Sequence, residues 1–274
     1  MNVEAALNFI KEHGNSIDKY RINYLLDKKR EDEIPLSYFQ KIQNKDGGFP
    51  YNHEKGKHSG VSETSSILAL IRELDLKDVE VCKKALQCLF KIQQKDGSWD
   101  ENPKIAEYDP PPWDTPGALG TKIWLTADIT NALIQLGYQN SEHVRKAADF
   151  LAKNRDENGK VAGFRIATWI ALSVFAQLEG LENEAVQKSL KLVEEWLKEE
   201  DTDASFLNWY LMCLQDAKFP RKHPLVQQCL KRLVKLQQKN GSWTSVDGGR
   251  YMVPTTITAL KLLRDYGVWT EQER

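Results

Sequence analysis

Apolar positions recur along this chain at helical spacing, in two kinds of segment that alternate. In residues 223–239, Val226, Cys229, Leu230, Leu233, Val234 and Leu236 form one apolar stripe with a charged back. Residues 78–94 read the same way. Residues 182–200 carry nine charges, from Glu182 to Glu200, around a similar stripe. The second kind is apolar nearly all round. It covers residues 62–74, 122–136, 164–178, 203–215 and 254–266, and in 164–178 the only charged residue is Arg165. A striped helix lies on the outside of a protein, and one apolar all round is buried on every side. The pattern therefore predicts outer and inner helices in alternation. Residues 2–13 and 16–28, hinged at Gly14-Asn15, supply another pair, for about six in all.

One turn sequence punctuates the pattern. Gln43-Asn44-Lys45-Asp46-Gly47-Gly48-Phe49 recurs 50 residues later as Gln93-Gln94-Lys95-Asp96-Gly97-Ser98-Trp99, and 144 residues after that as Gln237-Gln238-Lys239-Asn240-Gly241-Ser242-Trp243. The longer gap has room for two worn copies, Asn154–Gly159 and Lys198–Asp201. Each copy ends an outer helix. The glycine supplies the left-handed residue that stops it, and the ring that follows packs back against the neighbouring helices. An open stack of repeats needs polar ends. Here the first and last units stay apolar, at Leu25, Leu26, Ile257, Leu260 and Leu262. The expectation is one all-α domain over residues 1–274, a closed barrel of inner helices wrapped by outer ones.

Composition narrows the partners. A formal net charge of -1 on 274 residues offers no basic face for nucleic acid or for a polybasic membrane anchor. No apolar run approaches membrane-spanning length, and the start MNVEAALNFIKEHGNS lacks an export-signal core, so a cytoplasmic location is expected. Cys82, Cys88, Cys213 and Cys229 form no CxxC and no metal cluster, and read as reduced, mostly buried thiols. The eight Trp exceed what this length usually carries.

These turns carry a resemblance. Gln93, Gly97 and Trp99, and Gln237, Gly241 and Trp243, match the QxxxGxW repeat of squalene and oxidosqualene cyclases and of protein prenyltransferase β subunits; Gln43, Gly47 and Phe49 match with an aromatic swap. The resemblance spans nearly the whole chain and implies the α/α-toroid fold. The run Tyr108-Asp109-Pro110-Pro111-Pro112-Trp113 is similar to small bacterial members that mostly lack an assigned reaction. For activity, the resemblance implies terpenoid cyclase or prenyltransferase-like chemistry on an isoprenoid or other apolar substrate in the barrel lumen. Against the cyclases' DxDD motif, Asp203 matches the proton-donating position and Asp201 the first, while Ala204 departs from the motif. Asp128, in an otherwise uncharged inner segment, is a further candidate acid. Trp124, Trp169, Trp209, Phe206, Tyr251 and Trp113 are candidate walls for a cation, and Arg165 a candidate rim cation.

Other features pull the other way. Family members with complete class II chemistry resemble two toroids, and only one fits this length. The zinc triad of the prenyltransferases is missing, so no zinc site is expected and no cofactor is needed; Mg would enter only with a diphosphate substrate. His53 and His58 share a loop with Glu63 nearby. The stretch from Asp100 to Thr121 holds five prolines and reads as a stiff rim or lid. Glu63, Asp109, Asp114, Asp128 and Asp203 are candidate rim acids, which keeps a carbohydrate-active toroid open. A non-catalytic binding scaffold or enzyme subunit on the same fold is the other alternative. An Asp203 that merely caps its own helix would favour the scaffold.

Overall fold

The structure is a computed structural model, described here over residues 1–27, 33–199 and 203–269. Those residues form twelve α-helices: α1 (Val3–His13), α2 (Ser16–Asp27), α3 (Glu33–Ile42), α4 (Val61–Glu73), α5 (Glu80–Ile92), α6 (Leu119–Gln135), α7 (Glu142–Lys153), α8 (Arg165–Glu179), α9 (Glu184–Glu199), α10 (Ala204–Asp216), α11 (Pro224–Lys235) and α12 (Met252–Asp265). The odd-numbered helices are the striped kind and α4, α6, α8, α10 and α12 the apolar kind, while α2 carries Asp18, Lys19, Arg21 and Asp27. α5 buries Val81, Cys82, Ala85, Leu86 and Leu89 along one face. α8 buries ten residues in a row, Ala167–Ala176. A two-residue antiparallel pairing, β1 (Phe49–Pro50) with β2 (Ser59–Gly60), was not expected from the sequence. It binds the two ends of the loop before α4.

The chain divides into two compact units. One comprises Tyr38–Glu195, the other Met1–Ser37 with the chain from Trp196 onward. In the first, α6 packs on α4, α7 and α8; in the second, α12 packs on α1, α2 and α10.

Each intact turn builds the same joint. Gln43 Nε2 donates to its own Gly47 carbonyl at 2.8 Å and to the Val81 carbonyl at the start of α5 at 2.9 Å. Gln93 Nε2 does this with Gly97 and with His143 at the start of α7, both at 2.9 Å. Gln237 Nε2 spans Gly241 at 3.0 Å and Asn2 at 2.8 Å, and its Oε1 accepts from the Asn2 N–H at 2.7 Å. The last turn therefore docks on the first helix by the bonds that dock each earlier turn on the next outer helix. The glycine is required twice over. Gly97 has φ +92°, and a Cβ there would lie 2.2 Å from the Lys146 carbonyl oxygen on α7.

The aromatic position is pinned as well. Trp99 and Trp243 are fully buried, and their Nε1 atoms donate to Leu89 O at 2.8 Å and Leu233 O at 2.7 Å on their own outer helices. Their backbone N–H groups donate to threonines on the inner helices: Trp99 to Thr126 at 2.9 Å and Trp243 to Thr256 at 3.0 Å. Phe49 uses Thr64 at 3.0 Å in the same way. Each of these hydroxyls also bonds back to the carbonyl four residues earlier in the chain, so turn, outer helix and inner helix share one network.

Gln237→Ala removes three hydrogen bonds from the joint between the last turn and the first helix. A loss of roughly 2–4 kcal/mol in urea unfolding is expected. A change under about 0.5 kcal/mol would show that this joint carries no stability.

Candidate functional site

The site is built around the start of α4. Its first N–H groups need acceptors, as every helix start does. Glu101, from the loop after the second turn, supplies them: Val61 N donates to Oε1 at 2.6 Å and Ser62 N to Oε2 at 3.1 Å. The Asn102 N–H adds a third bond at 2.7 Å. Asn102 itself reaches back to the Ser59 carbonyl at 2.8 Å, which fixes the loop on the strand pair.

Two more carboxyls lie in the same place. Glu63, in the first turn of α4, accepts from the Asn52 N–H at 3.0 Å through Oε1. Asp114 follows three prolines in a short 3-10 turn, Pro112–Asp114, and its carboxyl is bonded by Ser62. Glu63, Glu101 and Asp114 are 8 %, 2 % and 7 % exposed. Glu63 Oε2 and Asp114 Oδ1 are buried with no hydrogen-bond partner among the described residues. A Cβ on Gly60 would stand 1.8 Å from Glu63 Oε2, so this carboxyl occupies the space that only a glycine leaves open.

Burial dominates their acidity. It pushes Glu63 up to about 7, with the Asn52 hydrogen bond opposing and the charges of Glu101 and Asp114 reinforcing it. Burial likewise raises Glu101 to about 7 against its three backbone bonds, and Asp114 to about 6 against the Ser62 bond. Glu101, both of whose oxygens face helix N–H groups, is the member best placed to stay charged. Glu63 and Asp114 hold their protons to a higher pH than a surface carboxyl does. The three titrate as a coupled group. Beside them, burial lowers the pKa of His53, whose Nε2 lies 3.4 Å from Ser66 Oγ.

The rim around this cluster carries rings. Trp113, next to Asp114, is 46 % exposed, and its carbonyl accepts from Trp124 Nε1 at 2.7 Å. One turn further along α6, Asp128 accepts from Ser65 Oγ at 2.5 Å. Asn131 follows, accepting from Ser173 Oγ at 3.1 Å and Gln177 Nε2 at 2.8 Å on α8. Trp113, Trp124 and Asp128 thus share one neighbourhood with the buried carboxyls. Tyr108 secures the loop from the other side: its hydroxyl accepts from the His58 N–H at 3.1 Å, and its ring stacks on Tyr51 with centroids 5.3 Å apart.

The other expected residues each have surroundings of their own. Asp203 is the N-cap of α10, its Oδ1 accepting from the Phe206 N–H at 3.1 Å and from Ser205 Oγ at 2.7 Å. Asp201 falls outside the described residues. Trp169 is 2 % exposed within α8, Phe206 and Trp209 are half-buried on α10, and Arg165 is exposed at the start of α8. Tyr251 is exposed, with the Arg250 guanidinium 4.7 Å from its ring centroid. Among the described residues no group of three or more His, Cys, Asp or Glu is arranged to hold a metal ion, and no helix is long and apolar enough to cross a membrane. Glu101 escaped the sequence reading because its only signal is a loop acid two residues after a repeat tryptophan.

No family model matches the chain, and no curated protein matches it. Solved structures do. A protein from Actinoplanes is 15 % identical with a TM-score of 0.62, over 96 % of this chain and 97 % of that one. The type II terpene cyclase MstE from Scytonema, without ligand, is 14 % identical with a TM-score of 0.60, over 95 % of this chain and 96 % of that one. A variant of MstE in complex with its substrate, geranylgeranyl dihydroxybenzoate, is 14 % identical with a TM-score of 0.60, over 96 % and 95 %. The coverage removes the expectation that a type II cyclase must have a second toroid that this length cannot hold. At such identities the likeness shows the fold alone.

A carboxyl with a raised folded-state pKa binds its proton more tightly folded than unfolded. Its stabilisation is complete below the unfolded value, near 4.5 for Glu63, and is lost as pH climbs through about 7. Glu63→Gln should therefore melt several degrees above wild type near pH 8, with the difference shrinking or reversing near pH 5. Parallel melting curves across that range would show the assignment to be wrong. The fold itself is all-α, of the α/α-toroid kind found in type II terpene cyclases.

Proposed function

We propose that this protein is a terpene cyclase-like enzyme that binds an isoprenoid substrate and starts its cyclisation by protonating it. The observation that carries the proposal is the pair of buried carboxyls, Asp114 and Glu63, each with an oxygen lacking a partner, beside the rings of Trp113 and Trp124. Protonating an alkene needs a carboxyl that arrives neutral and whose proton is not tied up in a hydrogen bond. Burial lets both hold a proton to a higher pH than a surface carboxyl, Glu63 up to about 7 and Asp114 up to about 6, so turnover is expected to be fastest on the acid side of neutrality. Asp114 is the stronger acid of the two and adjoins Trp113, so it is the proposed donor. Glu63 shares and restores its proton, and Glu101 holds the charge at the start of α4. Indole faces stabilise the carbocation that forms, and Asp128 lies one helical turn from Trp124 on the same rim.

This assignment moves the acid from Asp203, whose Oδ1 takes the bonds of a helix cap, to the start of α4. The similarity to MstE suggests the substrate class, a polyprenyl chain carrying a polar aromatic head. A second reading, a binding scaffold, draws on the capping role of Asp203, and on that reading ligand binds without turnover.

The test is incubation with geranylgeranyl dihydroxybenzoate in D2O. Cyclised product should carry one deuterium delivered from the exchanged carboxyl. Asp114→Asn should lower turnover by at least about 100-fold, Glu63→Gln by a smaller factor, and Asp203→Asn only slightly. Loss of turnover in Asp203→Asn, with Asp114→Asn fully active, would overturn the acid assignment. Binding with no product in wild type would favour the scaffold.

A further inference from the structure

The third turn along the chain, Asn154–Gly159, is a modified joint rather than a worn one. Its backbone bonds fix the register: Asp156 N donates to Lys160 O at 2.9 Å and Gly159 N to Asp156 O at 3.1 Å, as Gln94 N does to Ser98 O at 2.9 Å and Gly97 N to Gln94 O at 2.9 Å. Val161 N donates to Thr168 Oγ1 at 3.2 Å, where the intact copies place an aromatic residue. Gly159 keeps a φ of +87°. In this register Arg155 occupies the position of the bridging glutamines Gln43, Gln93 and Gln237.

Arg155 has been relieved of the glutamine's task. Ser189 on α9 serves the Gly159 carbonyl from the opposite side, its hydroxyl lying 2.7 Å away, with the Ala185 carbonyl one turn earlier on α9, at 3.1 Å, competing for the same hydrogen. Arg155 instead lays its guanidinium on Phe175, with Cζ 4.1 Å from the ring centroid. Its Nη1 is buried and has no hydrogen-bond partner among the described residues. Beside it opens a cavity of about 520 Å³, lined by Arg155, Asp156, Gly159, Asn183, Ala185 and Lys188 among others.

We propose that this cavity is a binding site for a small carboxylate- or phosphate-bearing molecule, whose oxygens accept from Arg155. A cationic donor left buried and unpaired is costly, and an anion in the cavity that Arg155 already lines relieves it. A planar guanidinium suits the two oxygens of such a group. The acids on the same walls are largely committed. Asp156 Oδ1 accepts from the Asn158 and Lys160 N–H groups at 2.9 and 3.0 Å, and Glu184 pairs with Lys188 at 2.9 Å. Glu157 is exposed to solvent. The site is independent of the carboxyl cluster at α4 and of the cyclase reading.

Titration calorimetry of the whole protein, at ionic strength matched with chloride, tests it with pyrophosphate and with succinate as separate probes. At least one should bind saturably; which one does tells a phosphate site from a carboxylate site. Arg155→Gln installs the residue the intact joints use. It should keep or raise the melting temperature while weakening that binding at least tenfold. Phe175→Leu, which removes the ring that holds the guanidinium, should weaken it severalfold. No saturable binding of either probe to wild type, or equal binding by a folded Arg155→Gln, would overturn the proposal.

Discussion

The structure depends on one side-chain amide placed between two carbonyls. A helix that stops leaves carbonyls without donors, and a helix that starts nearby brings its own polar groups to the same place. In the intact turns a glutamine NH2 group, which has two hydrogens, serves one carbonyl on each side. The glycine four residues on turns the chain sharply and lets the next outer helix approach to backbone contact. The buried tryptophan behind it ties the turn to both of its own helices. Helix packing elsewhere is ordinary burial of apolar stripes. The turn makes that burial repeat in register.

Once this joint exists, function can be placed wherever the repeat is allowed to vary. Between the second turn and α6 the chain inserts a stiff run of prolines. That insertion carries Glu101 to the start of α4 and Asp114 into the same buried space. Neither acid is needed to hold the joint. Glu101 does structural work as a cap, while Glu63 and Asp114 keep oxygens that no described residue satisfies. Two such oxygens in one buried space are where a reaction or a ligand would complete the set.

Helix type, the order of outer and inner helices and the turn glycines could all be read from the sequence, because each leaves a local, periodic trace. The pairing of the last turn with the first helix was foreseen only from the apolar ends, and Gln237 with Asn2 supplies its physical form. The threonines were missed for a definite reason. They follow their aromatic partners by 15, 27 and 13 residues in the three intact copies, so no fixed offset reveals them. The acid cluster was hidden in the same way, since its members come from α4 and from two places in one loop. Asp203 was legible as a cap or as an acid, and its Oδ1 accepts the bonds of a cap. Arg155 could not be seen as a replaced glutamine until the backbone bonds fixed its register.

The division into units has a consequence for how the chain is made. Residues 38–195 are contiguous, so on the ribosome they can gather their contacts while the rest is still being synthesised. The other unit is assembled from both ends of the chain. Its first two helices emerge early and must wait for α12, and the bond from Gln237 to Asn2 closes a span of 235 residues. Contacts so distant along the chain form slowly. During that interval the apolar faces of α1 and α2 have no partner in their own unit beyond each other, and it is there that a nascent chain of this kind needs protection.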